Sequence, residues 1–361
     1  MFYHLLYPLH EFFSGFNVFR YISFRAAGAS VTAFLLSIVL GPAIIRLLKQ
    51  AKITQTKAQE TRLGLHPAHA AKAGTPTMGG LFMVIALTIS VLLWARLDNS
   101  YVWMALLATL SLGVLGFIDD WLKWTRQNEK GLQARVKFIG QIVVGLGIGY
   151  FLWRDPDIGF LTLPFFKNFI LPMGLFYIPF AALVVTGSSN AVNLTDGLDG
   201  LAAGCLAMVA GTYGIMSYLV GHIQLSDYLN VIYVARAAEL TVFCSALVGT
   251  ALGFLWYNCH PAHVFMGDTG ALALGGAVGV VAVLIQKEIL LLLVAGIFVI
   301  EAGSVILQVG SYKLRKKKLF LVSPLHQHLL YKKWEEPQVT VRLWIVGFLL
   351  AVLGLMTLKL Q

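Results

Sequence analysis

Acidic residues set inside apolar sequence are the first sign of chemistry in this chain. Asp119 and Asp120 end the apolar run Leu112 to Ile118. A carboxylate at a helix centre in lipid costs about 2.5–3.5 kcal/mol on insertion scales, and less toward the interface. Two adjacent acids also repel each other unless a cation or proton intervenes. The pair reads either as Mg²⁺-linked or general-base carboxylates, or as a solvated helix end paired with Lys123. Asn190, Asn193, Asp196 and Asp199 follow at three-residue steps, which on a helix drift slowly around one face. Gly197 and Gly200 loosen the backbone there and permit close approach to a ligand. Helix capping would use one such residue rather than four, which favours ligand binding.

Asp268 stands in Met266-Gly-Asp-Thr-Gly270, with Phe265 just before. Mg²⁺ takes few protein carboxylates and keeps positions open for phosphate oxygens. Asp119, Asp120, Asp196 and Asp268 supply more than enough. Phe265 suits stacking on a nucleobase or anchoring at a membrane interface. His326 and His328 flank Gln327 after Pro324, a spacing suited to a loop. No third soft ligand for zinc lies nearby; the pair fits an anionic phosphate or sugar, or plain surface exposure. Gln308 falls near the end of a span, within reach of a ligand, and Glu301 on roughly the same face stays unassigned.

The elements that position these residues must be membrane helices. Of 361 residues, 58% are hydrophobic and only 12% charged, with a mean hydropathy of +0.77. Soluble domains carry about twice that share of charge. The apolar residues form continuous blocks: Val31–Leu48, Leu81–Trp94, Tyr101–Ile118, Ile142–Trp153, Leu175–Val185, Leu201–Val220, Leu240–Trp256, Ala271–Ile285, Ile289–Ile300 and Val341–Leu358. A hydrocarbon core about 30 Å thick needs roughly 20 helical residues, and unpaired backbone groups are not tolerated there. The expected fold is an all-α polytopic membrane protein of about ten transmembrane helices. It forms a single domain over residues 1–361, and the pair of spans around Gln286–Glu288 is the least regular. A barrel would show short alternating segments instead. The opening shows no basic start followed by an apolar stretch and a small-residue cleavage site, so no removable signal peptide is expected, and Phe2 to Phe19 reads as an interfacial segment. Cys205, Cys244 and Cys259 lack metal-ligand spacing, and a buried Cys behaves as a small hydrophobe.

Lys and Arg counts set orientation. Loops after spans one and three and before the last span hold 18 of the 27 basic residues. That side is expected to be cytoplasmic, with both termini periplasmic. Every polar motif above follows an odd-numbered span, so loops at about 49–76, 119–137, 190–200, 257–270 and 312–338 share that face. One composite site is therefore expected. The run Arg315 to Lys318 has its own reason, since juxtamembrane cations fix topology and attract anionic lipid.

Taken in order, Gly74-Thr-Pro-Thr-Met-Gly-Gly80, Phe117-Ile-Asp-Asp120 with Lys123, Asn190 to Ala202, Phe254-Leu-Trp-Tyr-Asn258, Phe265 to Gly270 and Pro324 to His328 carry a resemblance. Together they resemble the phospho-N-acetylmuramoyl-pentapeptide-transferase branch of the polyprenyl-phosphate N-acetylhexosamine-1-phosphate transferases, over essentially the whole chain. The resemblance implies an Mg²⁺-dependent transfer from UDP-N-acetylmuramoyl-pentapeptide to undecaprenyl phosphate, giving lipid I and UMP in peptidoglycan synthesis. It implies a bacterial inner (plasma) membrane with the site facing the cytoplasm, and no nucleic-acid partner; a homodimer is compatible with it.

By motif position Asp268 matches the Mg²⁺ ligand, and Asp119 and Asp120 the acid pair of which one activates the lipid phosphate. Asp196 and Asp199 match acids near the diphosphate and uridine. Asn258, Phe265 and Gln308 match the uridine pocket, and Lys72, Thr77 and Lys123 match polar groups lining the cleft. His326 joins the catalytic acids, and Asn190, Asn193 and His328 the substrate-binding set. Two departures stand out. The family usually carries three consecutive histidines where this chain has His326-Gln327-His328, and Gln327 cannot become cationic or transfer a proton. Trp121 replaces the usual Tyr after the acid pair. A sister transferase using UDP-N-acetylglucosamine is the alternative within enzymes. An ion-coupled transporter is the remote one, since transporters favour paired repeats with broken helices.

Overall fold

The computed structural model describes residues 1–54, 74–126, 131–154, 159–163 and 170–360. Ten long helices are numbered here in chain order: α1 (Ile22–Gln50), α2 (Gly80–Trp94), α3 (Ser100–Thr125), α4 (Ala134–Trp153), α5 (Tyr177–Thr195), α6 (Leu201–Val220), α7 (Leu240–Asn258), α8 (Gly267–Leu284), α9 (Gly296–Arg315) and α10 (Glu336–Thr357). Nine are long and apolar enough to cross a bilayer, and α2 is a shorter apolar helix. The chain is thus an all-α polytopic membrane protein. Among the described residues, one two-stranded antiparallel hairpin departs from the helical reading, pairing Phe160–Thr162 with Ile170–Pro172.

Helix α8 is the centre, with 94% of its apolar window buried. A helix that is apolar all round belongs inside the protein, and Gly and Ala along α8 let α3 and α5 approach closely. Helix α7 packs between α1 and α6, and α4 lies against α5. The outer faces of α1, α4, α9 and α10 carry exposed Leu, Val, Ile and Phe, as lipid-facing surfaces require.

The ninth span corrects the sequence reading. The apolar block Ile289–Ile300 is not one helix: a short helix Glu288–Val294 stops at Ala295, and α9 begins at Gly296 and runs on to Arg315. At the start of this connection Glu288 is buried against the Tyr177 hydroxyl. Tyr213 donates to the Lys287 carbonyl at 2.9 Å.

At the end of the bundle where α2 finishes, the aromatic opening folds into short turns. Phe2 and Phe19 pack on Trp94, and the Met1 ammonium donates to the Leu92 carbonyl at 2.8 Å. Near the other terminus, the Lys359 ammonium donates to the Tyr228 carbonyl. Beneath the opening a fully buried pair joins α1 to the segment before α7. The two terminal Arg25 nitrogens donate to the Glu239 carboxylate, one of them at 3.0 Å. Arg96 N donates to the same carboxylate at 2.7 Å. Breaking a buried pair from one side costs about 3–5 kcal/mol, because the surviving charge loses its partner. Glu239→Gln is expected to lower the detergent-phase melting temperature by roughly 5–10 °C and leave turnover at low temperature unchanged. A thermal melt beside a turnover assay checks both.

Candidate active site

At the opposite end of the bundle, the C-terminal end of α3 meets the N-terminal end of α8. Gly116 makes this approach possible: a Cβ there would lie 2.3 Å from the Asp268 carbonyl oxygen and 2.7 Å from Thr269 Cα. One turn further along α3 stand Asp119 and Asp120, both buried. The neighbours do different work. Asp120 accepts from Thr269 N at 2.9 Å, Thr269 Oγ1 at 2.7 Å and Asp268 N at 3.2 Å. It satisfies the open N–H groups at the start of α8, where the helix dipole favours a negative charge. Asp119 turns instead to the segment before α4, accepting from Leu132 N at 2.7 Å through Oδ1.

Two lysines bridge the acids. Lys123 Nζ lies 2.6 Å from Asp119 Oδ2 and 2.7 Å from Asp268 Oδ2. Lys137, in the first turn of α4, lies 2.6 Å from Asp268 Oδ2 and 3.6 Å from Asp119 Oδ2. Oxygens of Asp119, Asp120 and Asp268 all lie within 4.8 Å of one another. Three carboxylates and two ammoniums leave one negative charge if all are ionised, so a divalent cation would turn the site positive. The donor set is hard oxygen and fits Mg²⁺, which tolerates one or two protein carboxylates beside phosphate oxygens. Asp119 and Asp268 suit that role, since Asp120 is spent on α8.

The loop from Cys259 to Met266 ties this cluster to a second one. Gly79 N donates to Phe265 O and Gly80 N to Met266 O, both at 2.8 Å, while Phe265 N donates to Pro76 O at 2.8 Å. Phe265 is thereby fixed through its backbone and its ring is partly exposed. Thr77 N donates to Ile53 O at 3.1 Å, so the loop before α2 is pinned on both sides. Asn258 is buried and uses its amide on backbone: it donates to Val264 O at 2.8 Å and accepts from Gly200 N at 3.0 Å. Asp199 Oδ2 accepts from His260 Nδ1 at 3.0 Å and Ala262 N at 3.1 Å. Asp199 N donates to Glu336 Oε1 at 2.8 Å. Asp196 closes α5, and Asn193 sits one turn earlier, partly exposed.

His326 joins the second cluster from the short helix Leu325–Tyr331. Its backbone N donates to the Glu301 carboxylate at 3.1 and 3.2 Å, and its Nδ1 lies 3.1 Å from Glu301 Oε2. On the other side, a Cβ on Gly197 would lie 2.4 Å from His326 Nε2. The ring, pinned by Glu301 and buried, cannot retreat. Gly197→Ala is therefore expected to reduce turnover at least tenfold with normal membrane insertion, read from initial rates against expression level.

Other expected site residues are placed further out. Asn190 donates to Gln141 Oε1 and to Thr186 O, both at 2.8 Å, within the α4–α5 contact. Gln308 uses its whole amide on the returning chain, accepting from Leu319 N and Phe320 N and donating to Phe320 O. His328 Nδ1 accepts from Leu321 N at 3.2 Å. Partial burial first, and then the Lys332 ammonium, hold its imidazole below the usual range, so it is neutral near pH 7 and fits the acceptor role. Lys72 lies outside the described residues. Cys205, Cys244 and Cys259 are free thiols.

Sequence reasoning counted Lys137 only as a topology charge. A signal was there: a lysine in a helix's first turn opposes the dipole and calls for a specific anion. Thr269, Gln141, His260 and Glu336 were also passed over, as single polar residues without a spacing pattern.

Comparison with known proteins speaks to this architecture. The Glycosyl transferase family 4 profile matches residues 102–286, which include Asp119, Asp120, Lys137 and Asp268. The phospho-N-acetylmuramoyl-pentapeptide-transferase signature 1 matches residues 72–84, which include Pro76 and Gly79, both hydrogen-bonded to Phe265. Curated relatives named phospho-N-acetylmuramoyl-pentapeptide-transferase cover all of this chain and are covered by it in full. They include those of Desulfotalea psychrophila at 49% identity and of Thermodesulfovibrio yellowstonii and a Geobacter species at 48% each. The chain belongs to the phospho-N-acetylmuramoyl-pentapeptide-transferase family. It is therefore an enzyme of the phosphoglycosyl transferase class and a multi-pass membrane protein. In this family member, the acids expected from three separate loops gather at one end of the bundle, in two clusters joined by Cys259 to Met266.

Proposed function

We propose that the protein transfers phospho-N-acetylmuramoyl-pentapeptide from its UDP carrier to undecaprenyl phosphate, yielding lipid I and UMP, at the cytoplasmic face of a bacterial inner membrane. The observation that carries this reading is the Asp119–Lys123–Asp268–Lys137 cluster at a helix-bundle end. It lies where a lipid phosphate and a soluble diphosphate could meet. The basic loops near it favour a cytoplasmic orientation, which leaves both termini periplasmic.

In the proposed reaction an oxygen of the lipid phosphate attacks the β-phosphorus of the donor. A new P–O–P bridge forms, the old α–β bridge breaks, and UMP leaves with the bonding pair. Lys123 and Lys137 would neutralise diphosphate oxygens and align them, the usual core of phosphoryl-transfer catalysis. Asp119 would keep the acceptor phosphate ionised and aimed, with Asp120 holding α8 and so Asp268 in register. Mg²⁺, held by Asp268 and Asp119, would supply charge neutralisation at the diphosphate. On the second cluster, Asp196, Asp199, Phe265 and Asn258 would form the nucleoside end, with Thr77, Asn193, Lys72 and His326 around the cleft. Asn190, Gln308 and His328 would act by shaping the walls.

The test is UMP release by purified protein offered undecaprenyl phosphate with either UDP-N-acetylmuramoyl-pentapeptide or UDP-N-acetylglucosamine. Release is expected only with the first, and only while Mg²⁺ is present. Equal release with both donors would overturn the donor assignment.

A further inference from the structure

Helix α4 brings Lys137 to the site, yet this end of the helix has little packing of its own. From Ala134 to Gly140 no residue is buried, and Val136, Phe138 and Ile139 are exposed. Two polar ties hold it to the acids: Lys137 to Asp268, and, just before the helix, Leu132 N to Asp119 at 2.7 Å. Gly140 faces the Leu115 side chain of α3, an apolar contact without direction. Close packing comes only deeper, where Gly145 and Gly149 lie against Ala182 and Ile178 of α5.

Gln141 is the first buried residue of α4 and is wholly enclosed. Its Oε1 accepts from Asn190 Nδ2 at 2.8 Å, and its Nε2 donates to Ser189 Oγ at 3.2 Å. Ser189 Oγ in turn donates to Leu272 O at 3.1 Å. Lys137 and Gln141 are four residues apart on α4, as Asp268 and Leu272 are on α8. The amide thus forms a rung about one helical turn, roughly 5–6 Å, deeper than the ion pair. It runs from α4 through α5 to the helix that begins at Asp268. Polar side chains join membrane helices by hydrogen bonds, and two bonds on one amide set both the height and the rotation of α4.

We propose that Gln141 is a positioning residue for Lys137: it holds α4 at the height that keeps the Lys137 ammonium on the diphosphate once that ammonium has left Asp268. The inference rests on the transferase reading above. In that reading Lys137 exchanges a carboxylate for phosphate oxygens, and the exchange gives up a tie between α4 and α8. The Gln141 rung survives it, because Asn190, Ser189 and Leu272 lie outside the acid cluster. A misplacement of about 1 Å can cost a hundredfold in rate. A helix free to slide by part of its rise of about 1.5 Å per residue would forfeit much of what its lysine supplies.

The experiment uses the full-length protein in detergent, with kcat, donor KM and acceptor KM measured from UMP release beside a thermal melt. Gln141→Met keeps the length of the side chain and removes both hydrogen bonds. It is expected to lower kcat about tenfold, with both KM values within twofold and the melting temperature within a few degrees. Lys137→Met should lower kcat further. Adding Gln141→Met to it should then cost less than twofold more, because a misplaced lysine and an absent one remove the same interaction. Ser189→Ala is a smaller change that cuts the link to Leu272 and leaves the Asn190 bond; a two- to threefold fall in kcat is expected, again with KM unchanged. Wild-type kcat in Gln141→Met overturns the proposal, as does a further tenfold loss in the Lys137→Met background, which would make Gln141 a packing residue only. If Gln141→Met does not fold, wild-type kcat in a folded Ser189→Ala overturns it equally. No UMP release by the wild-type protein would overturn the transferase reading itself.

Discussion

Asp268→Ala is expected to cut Mg²⁺-dependent UMP release by at least about a thousandfold, equivalent to roughly 4 kcal/mol of barrier. The side chain makes close ion contacts with both Lys123 and Lys137, at 2.7 and 2.6 Å, whereas Asp119 lies 3.6 Å from Lys137. Its loss takes the cluster from one net negative charge to none and removes the acid that lies close to both ammoniums. Single electrostatic groups at transition states are worth about a hundred- to a thousandfold, and this residue would also hold the metal. Asp268→Asn keeps the shape and removes the charge, so an equal loss there assigns the effect to charge rather than packing. Asp119→Asn should match it. Asp120→Asn should act first on stability, since Asp120 serves the α8 N-terminus through Thr269. Membrane-fraction yield and UMP release, measured together, check all four. Near-normal turnover in the two Asp268 variants would remove the cluster from the mechanism.

The second large effect comes from one methyl group. Gly116→Ala puts a Cβ 2.3 Å from the Asp268 carbonyl oxygen and 2.7 Å from Thr269 Cα. These are backbone atoms of a central helix, not the flexible end of a side chain, so relief requires α3 and α8 to part. Overpacking of this kind costs typically 1–3 kcal/mol. The greater damage is to geometry, because parting the helices separates Asp119 from Asp268 and uncaps α8. Turnover is expected to fall about a hundredfold or more, with a melting temperature lower by several degrees. Gly147→Ala is the control, since a Cβ there meets nothing within 4 Å; it should leave both measurements unchanged. Wild-type turnover in Gly116→Ala would mean that the α3–α8 approach does not position the acids.

Much of this arrangement was legible in the sequence because lipid leaves the backbone few choices. Long apolar blocks had to be helices, and the order of blocks then placed Asp119, Asp199, Asp268 and His326 at one end. The ninth span was misjudged because Ile289–Ile300 is apolar on both sides of the stop at Ala295, and hydropathy cannot register a break between two apolar helices. The hairpin Phe160–Thr162 with Ile170–Pro172 escaped because three-residue strands are too short for a period-two pattern. Within the site, the division of labour between Asp119 and Asp120 could not be read from two identical adjacent residues. It depends on which of them faces the start of α8. His260 and Lys137 escaped for a related reason: each matters through a partner more than 60 residues away, and spacing along the chain carries no trace of that.

The two clusters differ in what supports them. Asp119, Asp120 and Asp268 sit on α3 and α8, whereas Asp199, His260 and Phe265 sit on a turn and a connecting loop. Side chains on packed helices hold position more tightly than those on loops. An inhibitor built to mimic the diphosphate would therefore dock into a mould already cast, and its affinity should vary little with changes in the loops. One built on the nucleoside would rest on a turn and a connecting loop, and single substitutions there offer the easier road to resistance.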